Sequence, residues 1–447
     1  MIWTTLNDTI IFDYKFNDEL DIALISTYKK IIFSDFELNE KINNQLFESY
    51  TNNNFNNIYN MGYEEEEDGK FNRDVSNLPP SITHLTFGSS FNQDVSNLPY
   101  GLTHLTFGFY FNQDVSNLPH SLTRLTFGDN FNKDVSNLPP SLTRLTFGIY
   151  FNKDVSFLPP SLTHLTFGEK FNQRVSVLPH NLIHLTFGSN FNQSVSKLPK
   201  SLTHLTFGEK FNKDVSKLPK ILTHLTFGEL FNQNVSKLPS FLTHLIFGEY
   251  FNQDVSNLPQ TLTHLIFDCC FNQDISVLPT SLTHLTLGFD FNQDISVLPQ
   301  GLTHLIWNCR CEQDLSKLPQ GLIHLTLNKE FEQNFNISPN IKYLDLNRKN
   351  QYIIDSLPNS IIELKLGEYF NSDMNNLPTS IKKIRIDKNS NYDNDLNCLP
   401  DFIEELQLNY DYEKRILNIP SNLKKLICHK DYAYKNDFVM CEIQTYE

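Results

Sequence analysis

The chain has 447 residues, 40 % of them apolar, and a formal net charge of −15. That balance excludes a general nucleic-acid binder, which needs clustered Lys and Arg. No apolar run approaches ~18 residues, so no membrane-spanning helix is expected, and Met1-Ile2-Trp3 is not followed by the basic-then-apolar pattern of a signal peptide.

Residues 1–50 read as a small helical module. Asn17 to Ile32 fits one helix: Asn17 or Asp18 caps its start, acids come early and Lys late, and Leu20, Leu24, Tyr28 and Ile31 share one face. Such a module can cover the open end of a repeat array. Residues 51–70 read as a linker, Asn-rich at first and then acidic through Glu64-Glu65-Glu66-Glu67-Asp68.

From Phe71 the pattern F-N-x-D-V-S-x-L-P-x-S-L-T-H-L-T-F-G-x-x recurs every 20 residues, thirteen times in strict register, with starts from 71 to 311. Five looser copies start near 331, 350, 370, 392 and 412, and residues 431–447 close the array as a cap or tail. Self-similarity at one short period marks a solenoid, so residues 71–430 need no single globular core. Slots are numbered here from the Phe of each copy.

Slots 14 to 17 alternate as a strand requires: in the copy from Phe91, Leu105 and Phe107 point in, while His104 and Thr106 point out. Pro at slot 9 and the short period disfavour a helix on the return side, so turns or extended chain are expected there, with Phe91, Val95 and Leu98 inward. Phe at slots 1 and 17 should form two stacked aromatic spines, and Asn at slot 2 a ladder between coils. Slot 18 is Gly in ten strict copies and Asp268, Asn308 or Asn328 in the others. Gly, Asn and Asp tolerate positive φ, so this slot is expected to be left-handed. Cys269, Cys270 and Cys309 occupy turns two coils apart, beyond disulfide reach, and free thiols are expected.

The L-P-x-S-L-T-H-L-T-F-G run followed by F-N resembles the leucine-rich-repeat superfamily and, more closely, the FNIP repeat of social amoebae and of giant viruses that infect amoebae. Asp-Val or Asp-Ile stands here where the family's name has Ile-Pro. The resemblance implies a leucine-rich-repeat-like solenoid with a parallel β-sheet on one side, a cytoplasmic protein (in the host if viral), and a protein-binding role. It also implies an F-box at the N-terminus, which in such proteins docks a Skp-type adaptor of a cullin ubiquitin ligase. Asp21 to Asp35 resembles the second half of that module and Leu6 to Ile11 its opening, with Leu20, Leu24, Ile25 and Tyr28 as the adaptor-binding residues. A structural or surface repeat protein with no ligase partner is the alternative.

Two sets of columns could carry recognition. Slot 14 is His in eleven strict copies, including His84, His104, His164 and His184, and Arg at Arg124 and Arg144. Stacking, partner contact and metal binding are the readings; Arg cannot ligate, which counts against metal. Slots 10, 19 and 20 vary most, and the last two place Phe109, Tyr110, Ile149, Tyr150 and Tyr250 at the rim, either as drift or as partner recognition. No phosphate loop, HExxH or GxSxG is present, so neither catalysis nor a cofactor is expected.

Overall fold

The computed structural model describes residues 3–35, 69–310, 313, 315–328 and 334–446. The expected linker falls at 51–68 outside the described residues, save for Gly69 and Lys70. The chain divides into two compact units, Met1–Gly228 and Glu229–Glu447.

In the first unit each strict copy contributes one short strand, from β4 (His84–Thr86) to β11 (His224–Thr226). Consecutive strands pair in parallel and in register, so His84 lies opposite His104, Leu85 opposite Leu105 and Thr86 opposite Thr106. The alternation dictates the faces: Leu at slot 15 is buried and its neighbours are half-exposed or exposed. The return half has no helix in these copies and runs as turns and extended chain. The Asp-Val-Ser motif builds its first turn. Asp94 accepts from the Ser96 amide (3.0 Å) and hydroxyl (2.7 Å), so the Asp side chain satisfies a turn amide that would otherwise lack a partner.

Between sheet and turns lies the core of inward Phe, Val and Leu. Phe91 and Phe111 stack 6.1 Å apart, and Phe107 and Phe127 5.7 Å apart. The two columns interlock, because the slot-17 ring lies 3.6 Å from the slot-1 ring four residues later, as Phe87 does from Phe91. The Asn ladder is present: the Asn92 amide donates to Asn72 Oδ1 and the Asn112 amide to Asn92 Oδ1, each at 2.9 Å.

Slot 18 corrects the sequence expectation. No glycine of the column from Gly88 to Gly228, nor Gly288, has a left-handed φ, and the described non-glycine residue with a positive φ is Asn7. A Cβ at Gly108 would instead overlap the Gly88 carbonyl, and the same holds along the column. Glycine is required by the close approach of consecutive backbones, not by handedness. In the later copies the rule changes. The Asn308 amide pairs with the Leu287 carbonyl, so the strand runs one residue further, and Asn328 Nδ2 bonds the Asn308 carbonyl. A side chain fits where the ladder continues.

The N-terminal helix is also corrected. Helix α1 is a single turn, Ile22–Ile25, and Lys30–Ile32, expected to be helical, lies in strand β3 (Lys30–Phe33). β3 pairs in parallel with β4, Lys30 opposite His84. Strand β2 (Thr9–Phe12) pairs in parallel with β3, and β1 (Trp3–Leu6) folds back antiparallel on β2 through the turn at Asn7. Residues 16–35 are therefore one more coil. Phe16 stacks on Phe71 (5.9 Å), Phe33 on Phe71 (3.8 Å), and Asn17 Oδ1 accepts the Asn72 amide (3.1 Å) as the first rung of the ladder.

The second unit starts with β12 (His244–Ile246) and runs to β16 (His324–Leu327) on the strict rule. The looser copies give β17 (Tyr343–Arg348), β18 (Glu363–Tyr369), β19 (Lys383–Ile386), β20 (Glu405–Gln407) and β21 (Lys425–His429). The final segment adds β22 (Glu442–Tyr446) in parallel with β21, Lys425 opposite Glu442. A 3-10 turn at Leu315–Lys317 and helix α2 (Gln351–Asp355) are the helical departures before the last strand pair. The slot-1 spine continues here with tyrosines: Phe370 to Tyr392 is 6.0 Å, Tyr392 to Tyr412 is 6.3 Å and Tyr412 to Tyr432 is 6.1 Å.

Candidate functional site

The outward face of the first unit's sheet is set by slots 14 and 16 alone. Slot 14 reads Lys30, His84, His104, Arg124, Arg144, His164, and slot 16 a row of threonines from Thr86 to Thr226. No carboxylate occupies either slot from β3 to β11. Across β3 to β8 (His164–Thr166) this face forms a depression of about 640 Å³. Lys30, which the sequence reading placed in a helix, lies at one end of the row and pairs with Asp8 at 3.5 Å.

Slot 13 orients the imidazoles. The Thr103 hydroxyl donates to the Thr83 carbonyl (3.0 Å) and lies 2.9 Å from His104 Nδ1. A hydroxyl has one proton; with it on the carbonyl, the ring carries its proton on Nδ1 and donates to Thr103, and Nε2 is the ring atom left to take up a further proton. His84 and His104 stack at 4.1 Å, and His164 and His184 at 4.4 Å. Burial, then the neighbouring His84 and Arg124, lower the His104 pKa to about 4; burial, then Arg144 and His184, do the same at His164. His84 and His184 are shifted down too, first by burial. These rings are neutral at pH 7, so the fixed cations in the middle of the face are Arg124 and Arg144. They sit on adjacent strands, opposite each other in register, and neither forms an ion pair among the described residues.

The rim residues lie on the coil before Arg124 and on the coil of Arg144 itself. Phe109 and Tyr110 meet edge to face at 4.8 Å, and Ile149 and Tyr150 occupy the same slots two coils later. Phe109, Tyr110 and Tyr150 are exposed and Ile149 is half-exposed. Asp129 lies between them, its Oδ1 accepting the Ile149 amide at 3.2 Å. Tyr250 is exposed at the corresponding slot of the second unit. Of the four adaptor candidates, Leu20, Leu24 and Tyr28 are half-buried, and Ile25, fully buried, belongs to the core of the extra coil.

No group of three or more His, Cys, Asp and Glu among the described residues is arranged to hold a metal ion. The six described cysteines form no disulfide, and burial followed by a bond to Asp268 raises the Cys269 thiol to about 11, which leaves it a poor nucleophile. No helix among the described residues is long and apolar enough to cross a membrane.

The FNIP Repeat profile matches ten stretches of this solenoid, among them residues 71–110, 131–170, 171–210, 231–270, 350–389 and 391–431. The chain belongs to the FNIP-repeat family. No curated protein sequence matches it. Among solved structures it is similar to CroV588, described as a novel circular LRR protein, at 35 % identity over 97 % of this chain and 77 % of that one, with a TM-score of 0.67. The functional domain of InlJ from Listeria monocytogenes aligns at 19 % identity over 74 % of this chain and 78 % of that one, TM-score 0.45. The mouse RP105/MD-1 complex aligns at 14 % identity over 87 % and 81 %, TM-score 0.49.

Within this FNIP chain the second unit presents a different outward face. Ile246, Ile266 and Ile306 interrupt the threonine row. From β17 onward the slots carry charges that pair across strands: Arg385 reaches Glu405 at 3.1 Å and Glu363 at 3.4 Å, and Lys383 reaches Glu405 at 3.6 Å.

Proposed function

We propose that this FNIP-repeat chain is a non-catalytic protein-interaction scaffold, and that the outward face of β5 (His104–Thr106) to β8 is its docking surface. The supporting observation is the adjacent pair Arg124 and Arg144, without an ion pair among the described residues, within a depression whose strands lead into turns carrying Phe109, Tyr110, Ile149 and Tyr150. Arg and aromatic side chains on a rigid frame are the residue types that dominate protein interfaces. The whole chain should select peptides from a displayed random library, and the Thr126→Trp/Thr146→Trp variant, which fills the depression, should lose them. Identical peptide sets from both proteins would place docking away from this face, and none from either would leave a purely structural repeat protein.

The narrower role, substrate receptor of a cullin ubiquitin ligase, requires residues 1–50 to present Leu20, Leu24, Ile25 and Tyr28 to a Skp-type adaptor. The burial of Ile25 gives that role no support. Mixing the full chain with purified adaptor tests it directly: co-elution on a sizing column would restore the ligase reading.

A further inference from the structure

The docking face has a chemistry that narrows its partner. We propose that Arg124 and Arg144 bind an extended acidic segment of a partner protein, an inference that rests on the scaffold reading above.

Charge complementarity carries it. The chain is acidic overall, yet slots 14 and 16 hold no carboxylate on any of the nine strands from β3 to β11. Three other guanidinium groups have acids beside them, Arg310 facing Asp290, Arg385 facing Glu363 and Glu405, and Arg415 facing Asp437, while Arg73 donates to the Asn17 carbonyl. Arg124 and Arg144 instead lie next to each other, with imidazoles on the outer strands. Two guanidinium groups one strand apart repel, and among the described residues no carboxylate pairs with either. The one carboxylate lining the depression, Asp129, already accepts a backbone amide at the rim.

The donors match an extended chain. Thr126 and Thr146 stand two residues along the strands from the Arg pair, half-exposed, and their hydroxyls have no partner within the fold among the described residues. Successive strands are ~4.8 Å apart, and alternate side chains of an extended peptide are ~6.7 Å apart. A peptide crossing the strands can therefore present carboxylates at i and i+2 to the two flexible Arg side chains, while the threonines donate to its carbonyls. Each Arg–carboxylate fork is a charge-assisted, bidentate contact. Nucleic acid is a poorer match: two unpaired arginines on a chain of net charge −15 cannot follow a phosphate backbone.

Fluorescence anisotropy on the full chain tests this, with labelled octaglutamate as the probe and octaglutamine as its control, at low salt and again at ~150 mM salt, where exposed charges are screened. Octaglutamate should bind and octaglutamine should not. Arg124→Gln/Arg144→Gln should weaken binding at least ~10-fold, the loss expected for one charged hydrogen-bonded contact. Lys133→Gln/Lys153→Gln removes two exposed charges from slot 3 of the Arg144 coil and of the next one, and should change affinity less than ~2-fold. Equal loss in both variants would mean diffuse attraction and would overturn the site. So would unchanged binding by the Arg variant, or no octaglutamate binding at all. If octaglutamate fails while the displayed library yields peptides that Thr126→Trp/Thr146→Trp abolishes, the acidic assignment falls and the scaffold stands. If both fail, the scaffold falls with it.

Discussion

The strict coils of the first unit and the looser coils at the end of the second solve the same stacking problem with different side chains. In the first, identical slots make columns: Phe on Phe, Asn on Asn, Gly on Gly, Thr on Thr. In the second, the columns hold complementary partners: Tyr on Tyr with hydroxyls reaching carbonyls, Asn amides on carbonyls, and Glu between Lys and Arg. A column of identical residues has nothing to neutralise a charge within it. That is why the first unit avoids carboxylates on its sheet face and holds its histidines neutral. A column of unlike residues can carry charge and satisfy it internally.

The aromatic spine should show the contrast most strongly. Phe151 stacks on Phe131 and Phe171 at 6.1 Å each and on Phe147 at 3.7 Å. Phe151→Ala should cost about 3–5 kcal/mol, the usual loss for a buried ring. Tyr392 occupies the same slot in the second unit, but its hydroxyl is buried without a partner among the described residues. Tyr392→Phe should therefore be neutral or stabilise by about 1 kcal/mol. Denaturant melts of both variants check the pair; a costly Tyr392→Phe would mean the two spines follow one rule after all.

Backbone approach comes next. A Cβ at Gly168 would overlap the Gly148 carbonyl, so Gly168→Ala should cost about 1–3 kcal/mol as the coils part. Asn347→Ala keeps the Cβ that the later copies already accommodate and loses one bond to the Leu327 carbonyl, a cost of about 1 kcal/mol. Comparable costs at the two positions would argue against the change of rule at slot 18.

Why slot 18 was misread from sequence is instructive. Gly, Asn and Asp substitute for one another both where φ is positive and where a backbone must approach closely and a side-chain amide can bridge instead. Substitution alone does not separate the two causes; the position of the Gly88 carbonyl does. The strand slots, the spines and the Asn ladder were legible because each rests on a periodic pattern with one physical meaning. The coil at 16–35 was not, although Phe16-Asn17 carries its signature. One extra residue lies between Asn17 and Lys30 relative to a strict copy, and residues 36–70 separate the coil from the next Phe-Asn, so the period is lost. The recognition face was half legible: the His/Arg column was visible in the sequence, but the absence of paired carboxylates around Arg124 and Arg144 needed the register.

That extra coil can be tested at its ladder. Asn17→Ala removes the acceptor for the Asn72 amide and should cost about 1 kcal/mol. Hydrogen exchange should quicken at Asn72 and in β3, leaving the strict coils unchanged. Exchange unaltered in both places would separate residues 16–35 from the array.

Acid should act on both units through the strict-copy histidine column they share. His84, His104, His164 and His184 in the first unit and His264, His284 and His304 in the second all have lowered pKa values, with burial the leading cause. The unfolded chain binds their protons near pH 6.5, and the folded chain only lower down, at about 4 for His104, His164 and His284. Their contribution is therefore present above pH 6.5 and is lost as pH falls from there to about 4. Asp74, Asp94 and Asp114, whose pKa values are lowered by their bonds to Ser76, Ser96 and Ser116, add a second loss at more acidic pH. The melting temperature should drop by several degrees between pH 7 and pH 5. Replacing His104 and His164 with Gln should flatten that limb, and a flat curve in the parent protein from pH 8 to pH 5 would sink the neutral-column account.

The smallest effect concerns single arginines. Arg385 sits between two carboxylates, partly exposed, so Arg385→Gln should cost no more than about 1 kcal/mol, with Lys383 left to hold Glu405. Arg124→Gln removes a charge that has only a like-charged neighbour and imidazoles beside it, so it should be neutral or slightly stabilising. The opposite signs are the point of the measurement. An interior arginine that costs nothing to remove contributes nothing to the fold, and its place on the face must then be explained by what it meets outside the chain. If Arg124→Gln instead destabilises as much as Arg385→Gln, the residue has a structural partner, and the argument that its charge awaits an external carboxylate loses its premise.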